Sequence, residues 1–190
     1  MNYHHHGVSL EKICDSALAL ADIVVGKTAV NIGADSGILL NSLIQNGLNT
    51  ITVDRSMSTL EEIKKRWGNF CNFSGCIGEP HNIPIDDAYA DYVFANMILH
   101  HSEQPPLAIR EMQRILKPEG RLVIVDLDKH ACTALQQNEH DLWLGFDRND
   151  VIQWCLKAGF KMIFVDSLEE KYCIERLNDH DHHAIGMFTA

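Results

Sequence analysis

The stretch TAVNIGADSGILLNSLIQNGLNTITVD, Thr28 to Asp54, decides the fold. TAVNI is a short apolar run of strand type, and Gly33 to Gly37 (GADSG) is a turn. ILLNSLIQN carries its apolar residues at helical spacing and is closed by Gly47. TITV, Thr50 to Val53, is a second short apolar run with Asp54 at its carboxyl end. Two strands joined by a helix over so few residues form a βαβ unit, in which the helix carries the chain back and leaves the strands parallel.

The alternation continues on both sides. Upstream, Leu10, Ile13, Cys14, Ala17, Leu18 and Ala21 predict an amphipathic helix from Leu10 to Val25, ending near Gly26. Downstream, Ser56 is placed to cap a helix running to about Trp67, and Asn69 to Ile77 reads as a third strand. The loop GEPHNIPIDD contains two prolines that forbid a regular element. Ala90 to Asn96 is a fourth strand, and Pro105 and Pro106 open the helix LAIREMQRIL. Arg121 to Leu127 is a fifth strand of the buried kind. Asp147 or Asn149 caps the helix NDVIQWCLKAG, FKMIFVD (Phe160 to Asp166) follows as a sixth strand, and AIGMFTA returns as a terminal hairpin strand. The expected fold is α/β: a single Rossmann-like domain with a mostly parallel seven-stranded sheet, helices on both faces and a C-terminal antiparallel hairpin. Residues 1–27 are expected to pack on the core of a domain spanning 28–190.

Composition narrows the class of function. With 46% hydrophobic and 22% charged residues in 190, the chain has enough apolar surface for one sizeable core. Sixteen Lys and Arg against 26 Asp and Glu give a net charge of −10, which argues against a nucleic acid partner held by phosphate contacts. No apolar run approaches the roughly 20 residues of a membrane span, and no signal-peptide pattern opens the chain, so a cytoplasmic protein with no membrane partner is expected. The six cysteines are scattered with no CxxC pair, which indicates neither a disulfide framework nor a thiolate zinc site.

In an open parallel sheet, ligands bind beyond the carboxyl ends of the strands. Gly33 and Gly37 let the backbone approach a ligand there and expose amides at a helix N-terminus. Two glycines alone are weak evidence. Asp54, about twenty residues on at the end of the second strand, adds a carboxylate able to accept both hydroxyls of a ribose, which points to a nucleoside-containing ligand.

The order AVNIGADSG, TITVDRS, CIGEPHNIPIDDAYADYVFANMILHH and LAIREMQRILKPEGRLVIVDL resembles the class I S-adenosylmethionine-dependent methyltransferases over roughly residues 28 to 127. The tail through EHDLWLGF to Trp154–Phe160 is similar to their small-molecule branch, in particular to methyltransferase domains found alone or attached to ArsR-like repressors. Carried over by position, the resemblance implies that Asn31, Gly33, Ala34, Asp35 and Gly37 meet the methionine moiety. It places the ribose at Asp54 beside Arg55, the adenine near Gly78, Glu79 and Pro80, and the sulfonium end at Asn96 and Met97. It also implies a small-molecule acceptor; since nothing in 190 residues reads as an added substrate domain, either the acceptor is small or the second wall of the cleft is expected to come from another subunit, as in a homodimer. Transfer of this kind rests on alignment and proximity more than on a strong acid or base.

Two residues depart from the family's pattern: Asn31 stands where Asp is usual, and Asp35 where a further Gly is usual. A carboxylate about 4 Å from the ligand's own would cost about 4 kcal/mol at an effective dielectric near 20, roughly a thousand-fold in affinity. Asp35 must therefore point outward or hold the ligand's ammonium in place of the acid lost at position 31. Loss of the ligand altogether would leave a non-catalytic metal- or ligand-binding protein on the same scaffold. A nicotinamide-dependent oxidoreductase fits Asp54 but not the segment after the fourth strand.

Eleven histidines are the least expected feature. His100 and His101 follow the fourth strand, and His130 and His140, with Asp126 and Asp128 nearby, follow the fifth. These four histidines are the candidates for catalysis and for a divalent metal, since imidazole and carboxylate ligate zinc, nickel or iron. The clusters His4 to His6 and His180, His182, His183 are the competing metal sites. Trp67, Trp143 and Trp154 read as packing residues, with Trp143 also able to wall the substrate cleft.

Overall fold

A computed structural model describes the backbone of residues 10–34, 37–131, 141–176 and 179–189, and side chains as far as residue 167. The first strand, β1 (Thr28–Ile32), lies between β2 (Asn49–Asp54) and β4 (Ala90–Asn96), parallel to both. Outside these, β3 (Phe73–Ile77) pairs with β2 and β5 (Leu116–Leu127) with β4, again parallel. The parallel order is thus β3-β2-β1-β4-β5. The chain steps outward from β1 to β3 and then returns to β4 beside β1, which makes the β1/β4 boundary the switch point and opens a crevice beyond Ile32 and Asn96. Beyond β5, the backbone of β7 (Asp179–Thr189) runs antiparallel against Val125 to Leu127, with β6 (Asp166–Arg176) antiparallel to β7.

Helices cover both faces because strand residues alternate sides. Ala29, Phe94, Val123 and Val125 point to the layer of α1 (Leu10–Ala21) and α2 (Ile38–Gln45). Val30, Ile32, Val93, Ala95 and Ile124 point to the layer of α4 (Pro105–Ile115) and α5 (Arg148–Ala158). In α4, Ala108, Ile109, Met112 and Ile115 are wholly buried at helical spacing. Removing Ile109 or Met112 from water stabilises the fold by about 1.5–3 kcal/mol each. Helix α3 (Met57–Trp67) packs Ile63 on Leu40 and Ile44 of α2; its cap is Ser56, whose hydroxyl accepts from the Thr59 amide at 3.2 Å.

The expected order of helices and parallel strands is present through β5 and α5, and four expected boundaries are moved. The first helix ends at Ala21, because Asp22 takes a left-handed φ of 47°. The third strand begins at Phe73 instead of Asn69, since Phe70 closes a turn on Trp67. The fifth reaches back to Leu116, with Lys117 to Gly120 absorbed as a register shift against β4. Phe160 to Val165, expected as the sixth strand, is irregular, and that strand begins at Asp166. The apolar letters of FKMIFV are spent otherwise: Phe160, Ile163 and Val165 pack on the core next to α5, while Met162 and Phe164 are largely exposed.

The proline-containing loop after β3 is held by side chains instead of a ladder. The Arg114 guanidinium donates to the carbonyls of Ile83 and Ile85, both at 2.9 Å, and also to Glu111 and Asp87. Glu111 in turn accepts from the Ile83 amide at 3.1 Å. Hydrogen bonding from Arg114 outweighs burial and keeps the Glu111 carboxyl below its ordinary range. At the opposite end of the sheet, Asp91 accepts from the Thr28 amide at 3.0 Å and from Lys117 at 2.8 Å, with Lys27 at 3.3 Å. Burial pushes the Asp91 carboxyl up, but these partners together hold it below its usual value.

Candidate active site

The turn after β1 is tied to the end of β2 at two points. Gly33 donates its amide to the Val53 carbonyl at 2.8 Å, and Ala34 donates to Asp54 Oδ2 at 2.7 Å. The other oxygen of Asp54 accepts from the Ser56 amide at 2.8 Å, so this carboxylate also sets the entry to α3. Asn31 is buried at 2% exposure and donates its Nδ2 to the Gly33 carbonyl at 2.9 Å. An amide there braces the turn from inside, which an Asp, an acceptor when ionised, would not do through the same atom. Gly33 has φ of 84°, and a Cβ would meet Ile98 Cδ1 at 3.1 Å. Gly37 has φ of 74°, and its missing Cβ is displaced by the Trp67 ring, 2.4 Å from where that atom would lie. Trp67 is thus the reason for the second glycine, and its indole Nε1 donates to Asn41 at 3.1 Å. Asp35 lies outside the described residues.

Next to this turn, β4 ends in a strained backbone. Met97 has φ of 53°, a left-handed value that costs a side-chain-bearing residue about 1–2 kcal/mol. It is held by a 2.8 Å bond from its amide to the Val125 carbonyl. Such strain concentrates at functional sites. Asn96 Oδ1, one residue earlier, is a buried acceptor with no hydrogen-bond partner among the described residues. On the other flank, the Gly78 amide donates to the Asp54 carbonyl at 3.1 Å, and Glu79 to Asn82 close a turn through Pro80. The space beside Gly78 is filled by Pro84 and Val53, so this glycine serves close packing. Arg55 follows Asp54 directly and is exposed. The end of β2 thus ties these turns together along one edge of the sheet, Val53 holding Gly33 and Asp54 holding Ala34 and Gly78, with Asn96 and Met97 across the switch point from them.

The histidines are partly brought together. His100 and His101 occupy a short 3-10 turn, Leu99–His101, and their ring centroids are 4.1 Å apart. His100 Nδ1 is 2.7 Å from Asp126 Oδ1, and Asp126, wholly buried, also accepts from the amides of Leu99 at 2.9 Å and Leu127 at 2.8 Å. Burial lowers the pKa of His130, and a proton on the neighbouring His100 would lower it further. His140 and His4 to His6 lie outside the described residues, as do the side chains of His180, His182 and His183. Asp128 does not join the cluster, since both its oxygens bind the Arg148 guanidinium.

Asp141 was not among the residues singled out in the sequence. Its buried carboxylate stands 3.7 Å from His100 Nε2 and 3.5 Å from His101 Nδ1. The backbone puts it there: the amides of Leu142 and Trp143 donate to the His100 carbonyl at 2.9 and 3.1 Å, and Trp143 Nε1 donates to the Ser102 carbonyl at 2.8 Å. Gly145, with φ of 66°, then returns the chain to β5, where Phe146 donates to Leu127 at 2.9 Å. Trp143 thus clamps this segment onto the turn after β4. The only signal for Asp141 in the sequence was the polar run EHD before LWLGF.

Residues 30–124 match the methyltransferase domain family, which is half of the chain. The chain belongs to the class I S-adenosylmethionine-dependent methyltransferases. Among relatives of this methyltransferase-family chain, the demethylmenaquinone methyltransferase of Paenarthrobacter aurescens is 27% identical over 123 residues, covering 65% of the chain and 47% of the relative. The chain spans only 30% to 48% of the length of the curated relatives it matches. Its fold is shared with a Bacillus halodurans protein named provisionally as a methyltransferase, at a TM-score of 0.79 and 12% identity, covering 94% of this chain and 96% of that one. It is shared too with phosphoethanolamine N-methyltransferase 2 of Haemonchus contortus, solved with S-adenosylmethionine, at a TM-score of 0.75 and 14% identity, covering 94% and 52%. Among the described residues, no helix is long and apolar enough to cross a membrane.

Proposed function

We propose that the chain binds S-adenosylmethionine across the carboxyl ends of β1, β2 and β4 and methylates a small-molecule acceptor. The observation that carries this reading is the carboxylate of Asp54, fixed between the turn after β1 and the start of α3 by amides at 2.7 and 2.8 Å. A carboxylate has about four lone-pair sites, so two remain for ribose hydroxyls after the two amides are counted. Asn96 Oδ1 fits the ligand as well: a buried acceptor without a partner among the described residues suits a donor such as the ligand's ammonium. Gly33, Ala34 and Gly37 line the methionine end, and Gly78, Glu79 and Pro80 the adenine, in a loop that Arg114 keeps in place.

The bound sulfonium supplies an electrophilic methyl group, whose bond to sulfur breaks as an acceptor lone pair forms the new bond. The chain's own residues align the two partners, and Met97 and the turn at His100 form the wall nearest the acceptor. Alignment in a confined site is worth several kcal/mol of barrier without any acid or base. A small acceptor is supported by the name of the demethylmenaquinone relative. In this reading residues 28–190, hairpin included, form the methyltransferase-like domain, and residues 1–27 pack on it. The chain incubated with methyl-labelled S-adenosylmethionine and a cell extract tests it: label is expected in the small-molecule fraction, and label in protein or RNA instead would refute the acceptor class.

A further inference from the structure

We propose that His100, His101 and Asp141 form a binding site for a divalent transition metal at the carboxyl edge of β4. One ligand atom from each of the three lies within 4.8 Å of the other two. The site is built from two directions. His100 and His101 are set by the 3-10 turn after β4, and Asp141 is carried in by the two amides that bond the His100 carbonyl. Rigid placement of this kind is what a metal site needs from its scaffold.

The distances separate a metal site from a plain ion pair. An imidazole hydrogen-bonded to a carboxylate closes to about 2.7–2.9 Å, as His100 Nδ1 does with Asp126 at 2.7 Å. The contacts with Asp141 are instead 3.7 Å from His100 and 3.5 Å from His101. Two ligands about 2.1 Å from a tetrahedral zinc stand roughly 3.4 Å apart. The two edges from Asp141 therefore match a shared ion more closely than a shared proton. The third edge, between the imidazoles, lies within the same 4.8 Å, and the His101 side chain is 30% exposed.

Asp126 supplies the outer partner that ligating histidines have. It already accepts two backbone amides, so Nδ1 of His100 is the donor, and the lone pair on Nε2 faces Asp141. Two imidazoles and one carboxylate suit zinc, nickel, cobalt or iron(II) and suit magnesium poorly. Three protein ligands leave a coordination position for water or an acceptor oxygen. The use of that position rests on the methyltransferase reading: an acceptor hydroxyl bound there would be oriented beside the methyl group with its pKa lowered. Metal binding itself does not depend on that reading.

Calorimetric titration of the full chain with zinc(II), and with cobalt(II) followed by visible absorption, tests the site. To remove competition, His4 to His6 and His180, His182 and His183 are all replaced by Ala in the reference protein. One zinc per chain is expected to remain bound, with affinity at least tenfold weaker in both His101→Ala and Asp141→Asn, and with intense cobalt bands lost in both. His101 is only half-buried, so His101→Ala should fold even if Asp141→Asn does not; urea unfolding without metal checks this. No zinc binding in the reference protein, or unchanged binding in a folded His101→Ala, overturns the site. S-adenosylhomocysteine titrated in chelator runs alongside. A reference protein that binds the nucleoside in chelator but binds no zinc in its own titration removes the metal site alone, and one that binds zinc but not the nucleoside removes the proposed function alone.

Discussion

Asp54→Ala should act on ligand binding and on folding by amounts that can be separated. In the folded chain the carboxylate accepts from the amides of Ala34 at 2.7 Å and Ser56 at 2.8 Å. Removing it leaves without their acceptor the amides of Ala34, which is buried, and of Ser56, which is half-buried, so the folding loss should be about 1–3 kcal/mol for the pair. The remaining lone pairs are those assigned to the ribose. Their loss should weaken S-adenosylmethionine binding by about 1.5–3 kcal/mol, roughly 10- to 150-fold in Kd. Calorimetry measures the second quantity and urea unfolding of the free protein the first. A lowered urea midpoint with an unchanged binding curve would refute the reasoning, because Asp54 would then be a clamp on the turn and nothing more.

Three further outcomes follow from other contacts. Gly37→Ala combines a left-handed φ of 74° with a clash against Trp67 and should destabilise by about 2–4 kcal/mol. In a Trp67→Leu background the same change should cost clearly less, which a double-mutant cycle in urea measures. Asp126→Ala strands His100 and two amides in the core and should destabilise by about 3–5 kcal/mol; loss of less than 1 kcal/mol would contradict the bonding described. Asp91 and Glu111 have lowered native pKa values, so each adds stability that is fully present above the ordinary carboxylate pKa near 4. That stability is lost as pH falls through the lowered native values, and Asp91→Asn should flatten the acid limb of the stability curve.

The parallel core was legible because its strands are short apolar runs bounded by turn residues, and Ser56 and Asp147 cap their helices as their types require. FKMIFV was misread because an apolar run beside a helix packs equally well as irregular chain, and nothing local says where pairing begins. The site shows the same division. Asp54 and the glycine turn were legible from spacing along βαβ units. The role of Trp67 behind Gly37 was not, since α3 meets α2 only in the folded layers. His100 and His101 could be placed at a strand end, but their partner Asp141 comes from a turn held by backbone bonds to the His100 carbonyl, which leaves no periodic trace in sequence.

The central claim is that the edge formed by Gly33, Asp54 and Asn96 holds S-adenosylmethionine. Isothermal titration of the full chain with S-adenosylmethionine and with S-adenosylhomocysteine, in chelator, tests it most directly. Saturable binding of both at one molecule per chain is predicted. No saturable binding of either up to millimolar ligand, by a chain that unfolds cooperatively, would contradict it.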